Sequence, residues 1–312
     1  MAAAWRPIRR RLRQRFGLGR YGRRGLQERL AAAERDIVAL LARLYRDVGV
    51  QPPSPSTAGQ PSAGARFQNH EIRLSSQNGE DGLLLHIFSQ VGVTDRRLVE
   101  FGIEDGRECL ARMLVLHFGW TGLVMDCDAR NVADAERFYR VENGIGPDRL
   151  AIAQCMVTCA NINQTLVAQG IEDDIDLLAI DIDGNDYWVW KAIEVIRPRV
   201  VVVEYNASLG KDEAWIVAYD PAFERKAAHP SGWYHSASLA AFADLGRRRG
   251  YALVGCDSGG INAFFVRREL LTGKLPEVTV AEAWRPHRSR GQRATPEEQL
   301  ALLRTLPLVK DP

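Results

Sequence analysis

Residues 177–190 read LLAIDIDGNDYWVW: an apolar run, then Asp181, Asp183, Asn185 and Asp186 within six positions, then a second apolar run that opens a helix. A short continuous apolar run bounded by turn residues is the pattern of a strand covered on both faces, as in a parallel sheet flanked by helices. The polar cluster then falls at the carboxyl end of that strand. Carboxylates crowded there are costly unless a cation, a substrate or hydrogen-bond donors offset their charge. Capping of the following helix can occupy Asp183 or Asn185, which leaves the others to ligand chemistry.

Working outward, further apolar runs at 98–102, 122–126, 151–155 and 200–205 read as strands, with helix-length segments at 106–118, 132–140, 162–169 and 187–196 between and after them. After a loop of some thirty residues come a helix at 236–249 and two runs, 251–256 and 261–266, separated by the turn sequence DSGG. The turn is short enough to make the last two runs an antiparallel hairpin. The alternation predicts an α/β, doubly wound, Rossmann-like domain: a mostly parallel seven-stranded sheet ending in a C-terminal antiparallel hairpin.

The 312 residues suffice for one such domain of about 200 residues with appendages. No apolar run approaches the ~18–20 residues of a membrane span, and no secretory signal is read at the start, so a cytoplasmic protein is expected. Cys109, Cys127, Cys155, Cys159 and Cys256 form no CxxC pair, which points to reduced thiols and away from zinc. The net charge of +2 conceals ten arginines against the single acid Glu28 in residues 1–30. Such a segment suits contact with anionic lipid or nucleic acid, or targeting to an organelle, and equally a solvated arm. Leu26, Leu30, Ile37, Leu40, Leu41 and Leu44 then mark an amphipathic helix. The expected organisation is a basic arm and helix at 1–49, a Pro/Ser/Gly linker at 50–66, the main domain at 67–270 and a C-terminal tail at 271–312.

Three further stretches place candidate ligands at the carboxyl edge of this sheet. In VEFGIEDGRE (99–108), Gly102 and Gly106 let a nucleotide-like ligand approach the backbone, while Glu100 suits a cationic amino group such as that of a methionine moiety. The spacing is not GxGxxG, which argues against a dinucleotide. In GWTGLVMDCDARN (119–131), Asp126 ends a strand 24 residues after Gly102 and can accept ribose hydroxyls, with Asp128 as competitor and a helix N-cap as the alternative for either. In RVVVVEYNAS (199–208), Glu204 and Asn206 end the strand beside Asp183, and these three oxygen ligands together could hold Mg²⁺.

The runs SQNGEDGLL (76–84), VEFGIEDG, GWTGLVMD, DIDGNDYWVW, VVVVEYNAS and GGINAFFVR (259–267) together resemble bacterial methyltransferases of the FkbM-like group, associated with glycan and natural-product modification. The resemblance spans about residues 67–270. It implies the class I methyltransferase fold, S-adenosylmethionine as donor and a hydroxyl acceptor. By the same resemblance Gln77 and Glu80 cover the donor, with a solvent-facing turn and helix cap as the alternative for that stretch. Asp181 is expected to join Glu100, Gly102, Gly106 and Asp126 or Asp128 in binding the donor, and, where no metal is bound, Asp183 or His235 to take the acceptor proton. Trp233 and Tyr234, in HPSGWYHSAS (229–238), are expected to form an aromatic platform for a sugar. Asn262 is expected to satisfy the final turn. The acids also resemble distantly the metal ligands of macrocin-type sugar O-methyltransferases, which have a paired Asp-Asp where this chain has Glu204-Tyr205-Asn206. Two rival readings are a non-catalytic glycan- or nucleotide-binding module and a nucleic-acid methyltransferase. The second is disfavoured because the core carries no Asn-Pro-Pro-aromatic site.

Overall fold

A computed structural model describes residues 67–311 except Lys274; the basic arm, the amphipathic helix and the linker lie outside the described residues. The first helix, α1 (Glu80–Val91), leads into β1 (Arg97–Phe101), α2 (Ala111–Phe118) and β2 (Thr121–Asp126). Next come α3 (Ala129–Glu136), which continues into a π-helical turn at Arg137–Glu142, and then β3 (Leu150–Gln154), α4 (Ile162–Ala168) and β4 (Asp173–Ile180). Then follow α5 (Asp186–Ala192), β5 (Ile196–Glu204), the short β6 (Ile216–Val217), α6 (Arg225–Ala228) and α7 (Leu239–Arg248). The hairpin β7 (Tyr251–Cys256) and β8 (Asn262–Arg267) precedes α8 (Val280–Ala283), α9 (Pro296–Leu303) and β9 (Leu308–Val309). No described helix is long and apolar enough to cross a membrane.

Seven strands form one sheet in the order β3-β2-β1-β4-β5-β8-β7. The pairs among β1 to β5 are parallel, and β8 runs antiparallel to both β5 and β7. This is the Rossmann-like fold of class I methyltransferases, whose reversed strand near the sheet edge separates it from an all-parallel dinucleotide fold. β4 and β5 form the centre because their apolar runs, Leu177–Ile180 and Val200–Val203, are buried on both faces. Each fully buried aliphatic side chain contributes roughly 1.5–3 kcal/mol of hydrophobic stabilisation. One face is closed by Trp190 of α5, whose ring packs 5.0 Å from Phe265 and 6.1 Å from Phe242, centroid to centroid.

The sheet order reverses between the neighbours β1 and β4, so a crevice opens outside their carboxyl ends, the usual ligand position in open α/β sheets. The described residues of the expected C-terminal tail, 271–311 without Lys274, are built into the domain rather than trailing from it. β9 pairs antiparallel with β6, and the Asp311 carboxylate accepts hydrogen bonds from the Tyr187 hydroxyl at 2.8 Å and Arg248 at 2.6 Å.

Candidate active site

Glu100 lies on β1 with its side chain buried beneath α2, and its two oxygens accept the backbone N–H groups of Leu110 (2.9 Å) and Ala111 (2.6 Å). Burial pushes its carboxyl up to about 7 against the pull of those amides. The direct contact with an ammonium expected of Glu100 is not met in this arrangement; the side chain anchors the helix start instead. It also explains why α2 begins at Ala111 rather than near Gly106. An anchor of this kind leaves these two amides of α2 unavailable to a pyrophosphate, which needs free N–H groups at a helix start.

Between β1 and α2 the chain turns through Gly102 (φ 77°) and Gly106 (φ 75°). A Cβ on Gly102 would come within 1.6 Å of the Asp181 carbonyl oxygen, and one on Gly106 within 2.8 Å of the Tyr139 ring. The glycines are therefore required by the packing of the turn against its protein neighbours.

Asp126, at the end of β2, accepts from Glu104 N (2.9 Å), Asp128 N (2.9 Å) and Asn131 Nδ2 (3.1 Å). A carboxylate offers about four acceptor positions, so about one remains, beside the carboxamide oxygen of Asn131. Asp128 is the N-cap of α3 and accepts from Arg130 N at 2.8 Å. Of the two candidates for ribose, Asp128 is thus the helix cap. Asp128→Ala is expected to lower stability by about 1 kcal/mol in a denaturant titration while leaving ligand affinity unchanged. An affinity loss equal to that of Asp126→Ala would refute the division of labour.

Beyond β4 the carboxylates converge: Asp181, Asp183 and Glu204 each place an oxygen within 4.8 Å of the others. Asp181 is reachable from solvent, yet the crowded crevice desolvates it and the neighbouring Glu204, Asp186 and Asp183 charges raise its pKa well above the usual value. Glu204 is buried and pushed up to about 8, mainly by desolvation, with Arg225 pulling the other way. Asp186 is a clamp for the loop itself, accepting from Ile182 N (2.8 Å) and Gly184 N (3.0 Å). Asp183 and Glu104 both hold left-handed backbone (φ 58° and 49°) at this rim, a local strain that commonly accompanies functional loops.

The expected metal set does not fit the structure. Both ends of the buried Asn206 carboxamide are occupied: Nδ2 donates to the carbonyls of Trp233 (2.7 Å) and His235 (2.8 Å), and Oδ1 accepts from Ser208 N (3.1 Å) and Arg290 (2.9 Å). Asp183 is ion-paired with Arg225, whose guanidinium also lies 3.6 Å from Glu204 Oε1. A side-chain cation from α6 therefore supplies the positive charge that Mg²⁺ would bring.

His235 is fully buried and its pKa is driven well below the usual value by burial and by Arg225 and Arg290. Its Nε2 receives a hydrogen bond from Arg290 at 2.7 Å, and arginine can only donate, so the proton of the neutral ring sits on Nδ1. That Nδ1 lies 3.5 Å from Glu204 Oε2, and neither atom has a hydrogen-bond partner. With Nε2 occupied and Nδ1 protonated, His235 has no free lone pair to act as a base, contrary to its expected role; it lies beside Glu204 without a hydrogen bond to it. Tyr234 is also reassigned. Tyr234 is buried with its hydroxyl on the Pro307 carbonyl (2.5 Å), so it forms no sugar platform, and Trp233 is half-buried against the cluster of Leu209, Val217, Tyr234 and Leu303.

Glu80 accepts from Asn78 N (2.7 Å) and from Asn262 Nδ2 (2.7 Å), pinning the start of α1 to β8 rather than covering a donor. Asn262 thereby satisfies a buried acid, not only the turn. Gln77 lines a separate cleft beside the β7–β8 turn, two strand positions past β4. Sequence reading missed Asn131, Arg225 and Arg290. Only Asn131 lay close enough in sequence, five residues from Asp126, to have been found.

No family model matches the chain, and no curated protein matches it. Among solved structures it is similar to an O-methyltransferase from Bacillus cereus in complex with SAH, at 16% identity over 73% of this chain and 88% of that one, TM-score 0.38. It is also similar to the N-terminal domain of EvdMO1 in the presence of SAH and D-fucose (11% identity, 75% and 96% covered, TM-score 0.39). A third likeness is to the methyltransferase domain of bacterial CtHen1 (12% identity, 60% and 97% covered, TM-score 0.40). The fold assignment rests on the strand order given above.

Proposed function

We propose that the chain is an S-adenosylmethionine-dependent methyltransferase acting on a hydroxyl of a sugar, glycan or related natural product. The observation that carries the reading is the charge of the switch-point crevice. Glu104, Asp126, Asp181, Asp183 and Glu204 line it, and the pKa of Glu104 is itself raised, first by desolvation and then by its acidic neighbours. Among the described residues five acids face the single Arg225 there, so a cation that binds relieves their mutual repulsion whereas a pyrophosphate would add to it. The anchoring of α2 by Glu100 and the motif resemblance to FkbM-like enzymes support the same choice.

S-adenosylmethionine, when bound, supplies a methyl group already activated by a sulfonium. Asp126 and Asn131 suit its ribose hydroxyls, and the acids beyond β4 suit its positive charge. What remains for the protein is to hold an acceptor hydroxyl in line and to receive its proton. Asp181 is the group for that proton: it is accessible, and in its ionised form, reached at higher pH than usual, desolvation and then the neighbouring carboxylates give it a high proton affinity. Glu204 tunes it, and the charges of Arg225 and Arg290 act on Glu204 in turn.

Calorimetric titration tests the reading. S-adenosylmethionine is expected to bind in the micromolar range, Asp126→Ala to weaken it at least tenfold, and NAD not to bind. NAD binding without S-adenosylmethionine binding would overturn the proposal, and binding of neither would leave a recognition module as the better reading.

A further inference from the structure

Between the segment preceding α1 and the β7–β8 turn lies a second concavity of about 400 Å³, within the ~300–1,000 Å³ range of small-molecule sites. It is lined by Arg73, Gln77 and Asn78 from the segment before α1, by Ser258 from the β7–β8 turn and by His287 and Arg288 from the C-terminal segment. The acid that borders it, Glu71, is already engaged: its oxygens accept from Ser258 N at 2.5 Å and Ser258 Oγ at 2.7 Å. Arg288 is held in place by donating to Ser258 Oγ (2.8 Å), while its backbone N–H donates to the Gly259 carbonyl (2.9 Å). Arg73 is exposed and makes no hydrogen bond or ion pair among the described residues. His287 adds no charge, because burial and the nearby Arg290 and Arg225 push it down to about 4. The concavity thus holds two guanidinium groups without an ion-pair partner among the described residues, one carboxylate (Glu71) whose oxygens are turned to Ser258, and neutral hydrogen-bonding groups.

Its position is set by the sheet. Ile261, on its wall, accepts the Tyr205 backbone N–H at 2.9 Å, and Asn262 pairs with Glu204 in register, so the concavity opens beside the end of β5. From β4, where Asp181 stands, to β8 is two strand steps, roughly 10 Å. The donor crevice lies the other way, toward β1 and β2. A ligand in the Arg73–Arg288 cleft and a donor in the acidic crevice would therefore meet at Asp181.

We infer that this cleft is the acceptor subsite and that it selects acceptors carrying an oxyanion, a carboxylate or phosphate on a sugar-sized body, which Arg73 and Arg288 clamp from the segment before α1 and the C-terminal segment. The inference rests on the methyltransferase reading and adds the acceptor class to it. Two guanidinium groups lining a polar cleft match planar or tetrahedral oxyanions, and the accompanying amide and hydroxyl groups match ring hydroxyls. The edge of the sheet is then divided by charge, acidic where a cationic donor sits and basic where an anionic acceptor sits.

The test is calorimetry on the full chain saturated with S-adenosylhomocysteine, titrated with glucuronate, glucose 6-phosphate or glucose, alongside Arg73→Gln and Arg288→Gln. Either charged probe is expected to bind at least tenfold tighter than glucose, and each substitution to weaken it tenfold or more, with S-adenosylmethionine affinity kept within twofold as the check on folding. Which charged probe is tighter separates a carboxylate from a phosphate acceptor. Glucose binding as well as both charged probes, no binding of either charged probe at millimolar concentration, or charged-probe binding untouched by both substitutions would overturn the inference. The S-adenosylmethionine titration is read independently, so a failure of the donor site is distinguishable from a failure of the acceptor class.

Discussion

Asp181→Asn lowers methyl transfer by about 10²–10⁴-fold, the usual contribution of a positioned base, while the protein stays folded and still binds S-adenosylmethionine. Asparagine preserves the shape of the side chain and its backbone contact with Gly102, so the loss reports proton acceptance rather than packing. Glu204→Gln has a different signature. It leaves a base in place but removes the largest neighbouring charge that raises Asp181, so the remaining activity persists to lower pH. In the wild-type protein the rate rises with pH as Asp181 loses its proton, at higher pH than an ordinary aspartate does, because desolvation and then the Glu204 charge hold that proton. Rates of Asp181→Asn within threefold of wild type, or a pH profile unmoved by Glu204→Gln, would assign the proton to another group.

Stability is expected to move the opposite way. The Glu204 carboxyl is raised from 4.5 to about 8 in the folded chain, so between those values the folded state holds a proton that the unfolded state has released. Stability from this group is fully present below about 4.5 and is lost as pH rises through about 8. Glu100 and Asp257, both pushed up to about 7 by burial, add to the same slope. The melting temperature should therefore fall from pH 5 to pH 9, and less steeply in Glu204→Gln. The site retains buried acids that the fold alone would be more stable without, a common relation between activity and stability.

The seven strands of the main sheet were legible to within a few residues because their apolar runs are short, continuous and bounded by polar turns. The start of β4 was not: Asp173 and Asp174 pair with β5 through backbone bonds that hydropathy does not register. α1 was hidden because the residues that set its entry, Glu80 and Asp81, are buried and spend their carboxylates on distant or preceding backbone and side chains. The acids at the strand ends were visible as a cluster, but their division into helix anchor (Glu100), cap (Asp128), loop clamp (Asp186) and free group (Asp181) depends on which amides point at them. The two cations that govern the cluster were beyond reach. Arg225 meets Asp183 across 42 residues, and Arg290 lies in HRSRGQR (287–293), which reads as a basic tail until its guanidinium is seen buried against His235 and Asn206.

That burial makes Arg290→Ala the substitution with the largest expected loss of stability, about 3–5 kcal/mol. It leaves the buried His235 Nε2 (2.7 Å) and Ser208 Oγ (3.0 Å) without their donor and Asn206 Oδ1 (2.9 Å) with Ser208 N alone, and takes away a positive charge that lowers the pKa of Glu204. Burial already lowers the Arg290 pKa to about 10, so the side chain is still cationic at neutral pH and its loss is a loss of charge as well as of hydrogen bonds. The melting temperature should drop by roughly 6–20 °C, at about 2–4 °C per kcal/mol for a domain of this size. Arg290→Lys should recover only part of this, because one ammonium cannot follow the fork geometry that reaches all three acceptors. With Arg290 removed, Glu204 keeps its proton to still higher pH and, uncharged, raises Asp181 less, so the rise in transfer rate moves to the acidic side in whatever fraction remains folded. A variant with wild-type melting and an unshifted pH profile would mean that the C-terminal segment only covers the site; loss of both would mean that it sets the protonation state of the site through His235 and Glu204.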